Sequence, residues 1–227
     1  MRQLLLELAP PPAPTLETFF PGRNGAALKA LRAALEGGEP FVYLWGPGGS
    51  GKTHLLRGFA AAAGSTRAAE YVPAAKADWG RTAGLQAVAV DDVSRLDEPG
   101  QIALFDLCNR LRGSRGAFAA AGEAPPAQLA LRPDLRSRLA SGIVLQLHAL
   151  SDAEKTAALR EHAAARGMKL APDLLRHLLT RFERDMGTQI AMLDALDRMS
   201  LERKRPITVP LLKEALRSLA GREASGS

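Results

Sequence analysis

PFVYLWGPGGSGKTHLL, residues 40–56, holds a short apolar run, a glycine-rich loop and the opening of a helix in one stretch. Five large apolar or aromatic residues in a row, stopped by Gly-Pro, predict a buried strand. Within the stretch, GPGGSGKT (46–53) fits G-x-x-x-x-G-K-[ST]. Glycines at this spacing let backbone N–H groups turn inward around a phosphate at a helix N-terminus. Lys52 then supplies a point charge to the β and γ phosphates, and Thr53 offers its hydroxyl to Mg²⁺. A glycine turn that merely caps a helix is the plainer reading, and the strand–loop–helix context argues against it. The expected nucleotide-binding residues are therefore Gly46, Pro47, Gly48, Gly49, Ser50, Gly51, Lys52, Thr53 and His54. His54 follows in the same stretch, its side chain expected to pack.

Outward from the loop, strand and helix patterns alternate. NGAALKALRAALEGG (24–38) reads as a helix with a glycine stop, and GKTHLLRGFAAAAG (51–64) as another. AAEYVPA (68–74), LQAVAVDDV (85–93), GAFAAAG (116–122) and IVLQLHAL (143–150) read as strands. EPGQIALFDLCNRLRG (98–113) is a helix offering Ile102, Phe105, Leu107 and Leu111 to a core. This alternation predicts an α/β fold, a parallel sheet flanked by helices. Asp91 and Asp92 sit at the C-terminal end of a predicted strand, where open parallel sheets bind ligands. Asp91 is the expected metal-side carboxylate, acting with Thr53. Asp92 stands where many ATPases keep a residue that orients the attacking water.

After residue 150 the strands stop. Ser151-x-x-Glu154 is a capping box opening a helix over 151–167. Leu174, Leu175, Leu178 and Phe182 form one stripe in the next. A third helix is expected from about Thr188 to Arg203, and a fourth behind Thr208 as N-cap with Pro210 in the first turn. The predicted organisation is 1–15 an N-terminal segment with a proline spacer, 16–150 a nucleotide-binding domain, 151–221 a small helical domain and 222–227 a loose tail.

The 227 residues carry a net charge of +6, mostly arginine spread along helices, which a solvated surface explains without nucleic acid. Cys108 is the only cysteine, so neither an intrachain disulfide nor a cysteine metal cluster can form. No apolar run reaches the roughly 18 residues needed to span a membrane. A cytoplasmic location is expected. PDLRSRLASG (133–142) holds Arg136 and Arg138, two apart and so on different faces of a helix. Surface charge is the plain reading. One arginine is also free to serve its own site and the other a neighbouring subunit's γ-phosphate. QLLLEL (3–8), ahead of APPPAP (9–14), is too short for a membrane anchor and is held off the body by a stiff spacer.

TFFPGRN (18–24), GPGGSGKTHLL (46–56), VAVDDV (88–93), GEAPP (122–126), PDLRSRL (133–139), LSDAEK (150–155) and RDMGTQIAMLDALDR (184–198) resemble, in order, the AAA+ module of the bacterial replication initiator DnaA. With an N-terminal QLxLxL and no helix-turn-helix after the helical region, the chain is similar to the Hda-type regulatory inactivators within that DnaA-related AAA+ family. The resemblance implies an AAA+ P-loop NTPase core followed by an all-α lid. It implies that Gln3, Leu4, Leu6 and Leu8 dock on the β sliding clamp of DNA polymerase III, giving an indirect association with DNA. It implies ADP (or ATP) with Mg²⁺ as cofactors, DnaA as partner, and Arg138 as an arginine finger that promotes hydrolysis of DnaA-bound ATP and prevents re-initiation. A homodimer is compatible with the sequence. Two positions depart from the DnaA pattern. Glu123 stands where the sensor 1 region usually has Asp, and Gly187 stands where the sensor 2 arginine is expected, with Arg184 three residues earlier. Both weaken hydrolysis by this chain, so little or no intrinsic ATPase is expected. The rival readings are a helicase loader or DnaA-like ATPase working in cis through Lys52 and Asp91, and a DNA-binding adaptor using the basic surface.

Overall fold

The structure is a computed structural model. It describes residues 13–181 and 186–223, with Arg181 and residues 217–223 described by their backbone alone. Gln3, Leu4, Leu6 and Leu8, Phe182 and Arg184 lie outside the described residues. The chain divides into two compact units, one of Ala13–Ala149 and one from Leu150 onward.

The first unit is built on five strands: β1 Phe41–Trp45, β2 Ala69–Pro73, β3 Ala87–Asp91, β4 Ala117–Gly122 and β5 Ile143–Gln146. All neighbours pair in parallel, in the order β2-β3-β4-β1-β5. Parallel pairing forces the connections onto the faces, and both faces are covered. The period of two along each strand sorts the side chains. Val42, Leu44, Ala87, Ala89, Ala119 and Ala121 face helices α1 (Gly25–Leu35) and α2 (Lys52–Gly64), packing on Leu31, Leu55, Leu56 and Phe59. Phe41, Tyr43, Val88, Val90, Phe118 and Ala120 face α3 (Glu98–Gly113) and α4 (Pro133–Leu139), packing on Leu104, Leu107, Leu111 and Leu135. Each large side chain so buried contributes about 1.5–3 kcal/mol. The alanine-rich middle of β4 gives little bulk of its own, so the helix side chains supply it. Ile102, expected in this core, is instead 44% exposed, and Leu104, two residues on, is fully buried. Leu107 and Leu111 are buried as expected and Phe105 packs against the same core, so Ile102 alone of the four lies off the stripe.

One side-chain clasp closes this unit over a long sequence separation. The Asn24 amide donates to the His148 carbonyl at 2.9 Å, and the His148 N–H donates to Asn24 Oδ1 at 2.8 Å. The segment leading into α1 is thereby fixed to the chain leaving β5.

The second unit is all helix: α5 Asp152–Ala165, α6 Pro172–Arg181, α7 Met186–Arg203 and α8 Val209–Glu223. Its own core contains Leu159, Leu174, Leu178, Leu193, Leu196, Met199 and Leu212. The capping box at Ser151 and Glu154 is present in both directions. The Thr208 carbonyl accepts the Leu212 N–H at 3.0 Å, as an N-cap does. Two boundaries differ from expectation. α7 starts at Met186 rather than Thr188, which puts Gly187 inside its first turn. α8 continues through Arg222 and Glu223, two helix-favouring residues read earlier as tail. Asp194 of α7 is 8% exposed and accepts from His162 Nε2 at 2.6 Å and Arg166 Nη1 at 3.2 Å, pinning α7 to α5.

Candidate functional site

β1 delivers the chain to Trp45 and α2 receives it at Lys52, so the loop 46–51 lies at the C-terminal edge of the sheet. Gly46, Gly49 and Gly51 adopt φ of +154°, +75° and +95°. Two of these positions exclude a side chain outright. A Cβ on Gly46 would stand 2.2 Å from the Leu147 carbonyl, and one on Gly51 would stand 2.7 Å from Phe19 Cε2. The loop opens onto the first turn of α2, the positive end of a helix dipole.

Lys52 is 9% exposed, and its Nζ donates to the Gly46 carbonyl at 2.6 Å and the Pro47 carbonyl at 2.9 Å. An ammonium has three protons, so the third remains for an incoming anion. Ser50 is buried in the same loop, and its Oγ has no hydrogen-bond partner among the described residues. A buried hydroxyl without a partner costs about 1–3 kcal/mol unless a ligand satisfies it. Loop amides, a cation and an orphaned hydroxyl together suit a phosphate chain.

Asp91 ends β3 directly beside this loop. It is 4% exposed. Its Oδ2 accepts from Thr53 Oγ1 at 2.6 Å and from Tyr71 Oη at 2.8 Å, while Oδ1 accepts the Asp92 N–H at 3.0 Å. Thr53 gives its proton to Asp91 and keeps its lone pairs, which suits a hard divalent cation. Among the described residues, no cluster of three or more His, Cys, Asp or Glu side chains is placed to hold a metal. A cation here would therefore need oxygens from a phosphate chain to complete its shell, as Mg²⁺ commonly does.

Asp92 takes the left-handed conformation, φ +54°, at the turn after β3. Burial raises its carboxyl above the ordinary range, and the charges of Asp91 and Glu123 push the same way against Lys52 and Arg95. Glu123 itself is exposed, just past the end of β4.

The segment 15–19 contributes a feature that spacing did not reveal. His54 Nε2 donates to the Thr15 carbonyl at 2.9 Å, and its ring lies 5.6 Å from that of Phe19. Gly58 admits the same segment, since a Cβ there would meet Leu16 N at 2.8 Å. The His54 side chain thus straps the N-terminal segment over α2, as its expected packing role requires. Tyr71 and Asn24 were also missed. Neither sits in a recognisable motif, and both reach their partners only through the fold.

On α4 the two arginines do diverge. Arg136 donates to the Ala127 carbonyl at 3.4 Å. The Arg138 guanidinium lies 5.7 Å from the centre of the Phe105 ring, and its Nε is buried with no hydrogen-bond partner among the described residues.

Comparisons with known proteins bear on the family and the fold. The family model described as "Hda, lid domain" matches residues 152–216. An uncharacterized protein of Haemophilus influenzae is 37% identical over 214 residues, which span 89% of this chain and 93% of that one. The chain belongs to the Hda-like, DnaA-related AAA+ proteins. Domain III of the Thermotoga maritima initiator DnaA superposes with a TM-score of 0.67 at 21% identity, covering 92% of this chain and 97% of that chain. DnaA from Aquifex aeolicus, solved with AMPPCP bound, gives 0.65 at 25% identity over 74% of this chain and 59% of that one. The AAA+ fold is a parallel sheet flanked by helices with a helical lid, and the two units described above supply both parts. No helix among the described residues is long and apolar enough to cross a membrane.

Proposed function

We propose that this Hda-like protein is an ADP-bound, clamp-associated regulator that promotes hydrolysis of ATP on DnaA by supplying Arg138 in trans. The observation that carries this reading is the state of Arg138. The aromatic face under the guanidinium holds this half-buried side chain in place, and its terminal nitrogens, rather than the buried Nε, are the donors for another molecule's anion. An arginine delivered to a γ-phosphate stabilises the charge that develops in the transition state. Arg136 spends a donor on its own chain, so Arg138 is the better candidate.

In this reading the chain's own loop holds a diphosphate. The loop amides and Lys52 carry the charge of the β-phosphate, and Thr53 with Asp91 hold Mg²⁺, which would neutralise phosphate charge. Glu123 and Gly187 deprive the chain of two contacts expected for strong hydrolysis in cis. Gln3, Leu4, Leu6 and Leu8 are assigned to the clamp on sequence grounds. An extended peptide places a glutamine amide and alternate leucines in separate pockets. The location consistent with these partners is the cytoplasm.

The test is a reconstituted assay with DnaA–ATP and DNA-loaded clamp. Native protein should accelerate ATP hydrolysis. Arg138→Ala should retain ADP and clamp binding while losing most of the stimulation, since arginine fingers contribute about 10³–10⁵ in rate. Gln3→Ala/Leu4→Ala should lose clamp capture. Full stimulation by Arg138→Ala, or brisk turnover by the isolated chain, would replace this reading with hydrolysis in cis.

A further inference from the structure

Tyr71 lies on the edge strand β2, paired in register with Ala89, two residues before Asp91 on the neighbouring strand. The period of two therefore puts Tyr71 and Asp91 on one face of the sheet, the face covered by α2. Thr53 and Arg57 are one turn apart on α2 and meet them there. The Arg57 guanidinium stands 4.9 Å from the centre of the Tyr71 ring. The Tyr71 hydroxyl donates to Asp91 Oδ2 at 2.8 Å, the same oxygen that accepts from Thr53 at 2.6 Å.

A carboxylate has about four acceptor sites, two per oxygen. Thr53 and Tyr71 fill those of Oδ2, and the Asp92 N–H takes one of Oδ1. A single acceptor site is left on a side chain otherwise suited to a cation or its bound water. We infer that Tyr71 is a positioning residue of the cation site, which withholds one Asp91 acceptor site and so makes nucleotide binding by this chain nearly independent of Mg²⁺. The inference rests on the nucleotide reading given above. Arg57 adds a contact of its own, because a cation over an aromatic face holds the ring in place. The cost would fall on the cation, for which the protein would offer Thr53 and only a single acceptor site of Asp91. The gain is a diphosphate retained whether or not the metal is present.

The experiment measures ADP affinity by calorimetry, in EDTA and in millimolar Mg²⁺, for the native protein and for Tyr71→Phe. The native protein should change by less than about threefold between the two conditions. Tyr71→Phe should match it in EDTA and gain about tenfold from Mg²⁺, a size typical of changes around metal ligands. Mn²⁺ binding followed by electron paramagnetic resonance in the presence of ADP should tighten in the same proportion. A native protein that gains tenfold from Mg²⁺ overturns the inference, and so does a variant whose gain equals the native one. Equal loss of ADP affinity with and without Mg²⁺ would mark a merely structural role and also overturn it. Failure of both proteins to bind ADP under either condition would instead remove the nucleotide reading on which this one stands.

Discussion

Burial pushes the Cys108 thiol up to about 12, against the weaker pull of Arg138 and Arg112. The side chain is fully buried between α3 and the sheet, so no water stabilises the thiolate. At pH 8 a thiol of that acidity is ionised about once in ten thousand molecules, and only the thiolate attacks alkylating agents. Native protein should resist iodoacetamide at pH 8 and react at the rate of an ordinary cysteine once unfolded in guanidinium, which mass spectrometry of the alkylated chain reads directly. Rapid labelling of the native protein would show that this face of the sheet opens without unfolding. The thiol was legible as a helix filler from its FDLCNRL context. Its neighbour Arg138 was legible as an arginine but not as one with a buried, unpartnered nitrogen. That property depends on Phe105, thirty-three positions earlier, and on what α4 packs against.

At the scale of elements, the start of α5 offers the cleanest measurement. Ser151 Oγ accepts the Glu154 N–H at 3.3 Å and Glu154 Oε2 accepts the Ser151 N–H at 2.8 Å. Two orphan amides of a helix terminus are satisfied at once. Ser151→Ala should lower the stability of the helical unit by about 1 kcal/mol, read as a shift of its urea midpoint. No shift would mean that the α5 terminus is held by packing rather than by its cap. This cap was visible in the sequence because its partners are three residues apart. The strands and the phosphate loop were visible for a similar reason, since apolar runs and glycine stops are local. The contacts that organise the site were not. Tyr71 and Asp91 are 20 residues apart, and Asn24 and His148 are 124 apart. Pairing at such distances follows from strand order and register, which composition does not encode. The exposure of Ile102 near the start of α3 is of the same kind, decided by what the helix meets.

For the whole molecule, the relevant fact is that its cores are separate. The clusters on the two faces of the sheet draw on residues 16–147, and the helical core draws on residues 159–216. Each unit therefore has a buried core drawn, among the described residues, from its own chain segment, which is what independent folding requires. The small helical unit is the weaker partner, because a short chain buries a smaller fraction of its surface. Leu193 is fully buried in it. Leu193→Ala should cost about 2–5 kcal/mol, enough to unfold that unit under mild conditions. Cys108 belongs to the other unit and makes a silent reporter of it. In a urea series on Leu193→Ala, helical circular dichroism should fall in an early step while Cys108 stays protected from alkylation until a later one. If labelling of Cys108 rises together with the first loss of helix, the two units melt as one cooperative block. The separation of cores would then not be a separation of stability, because coupling between the units would outweigh the independence of their interiors.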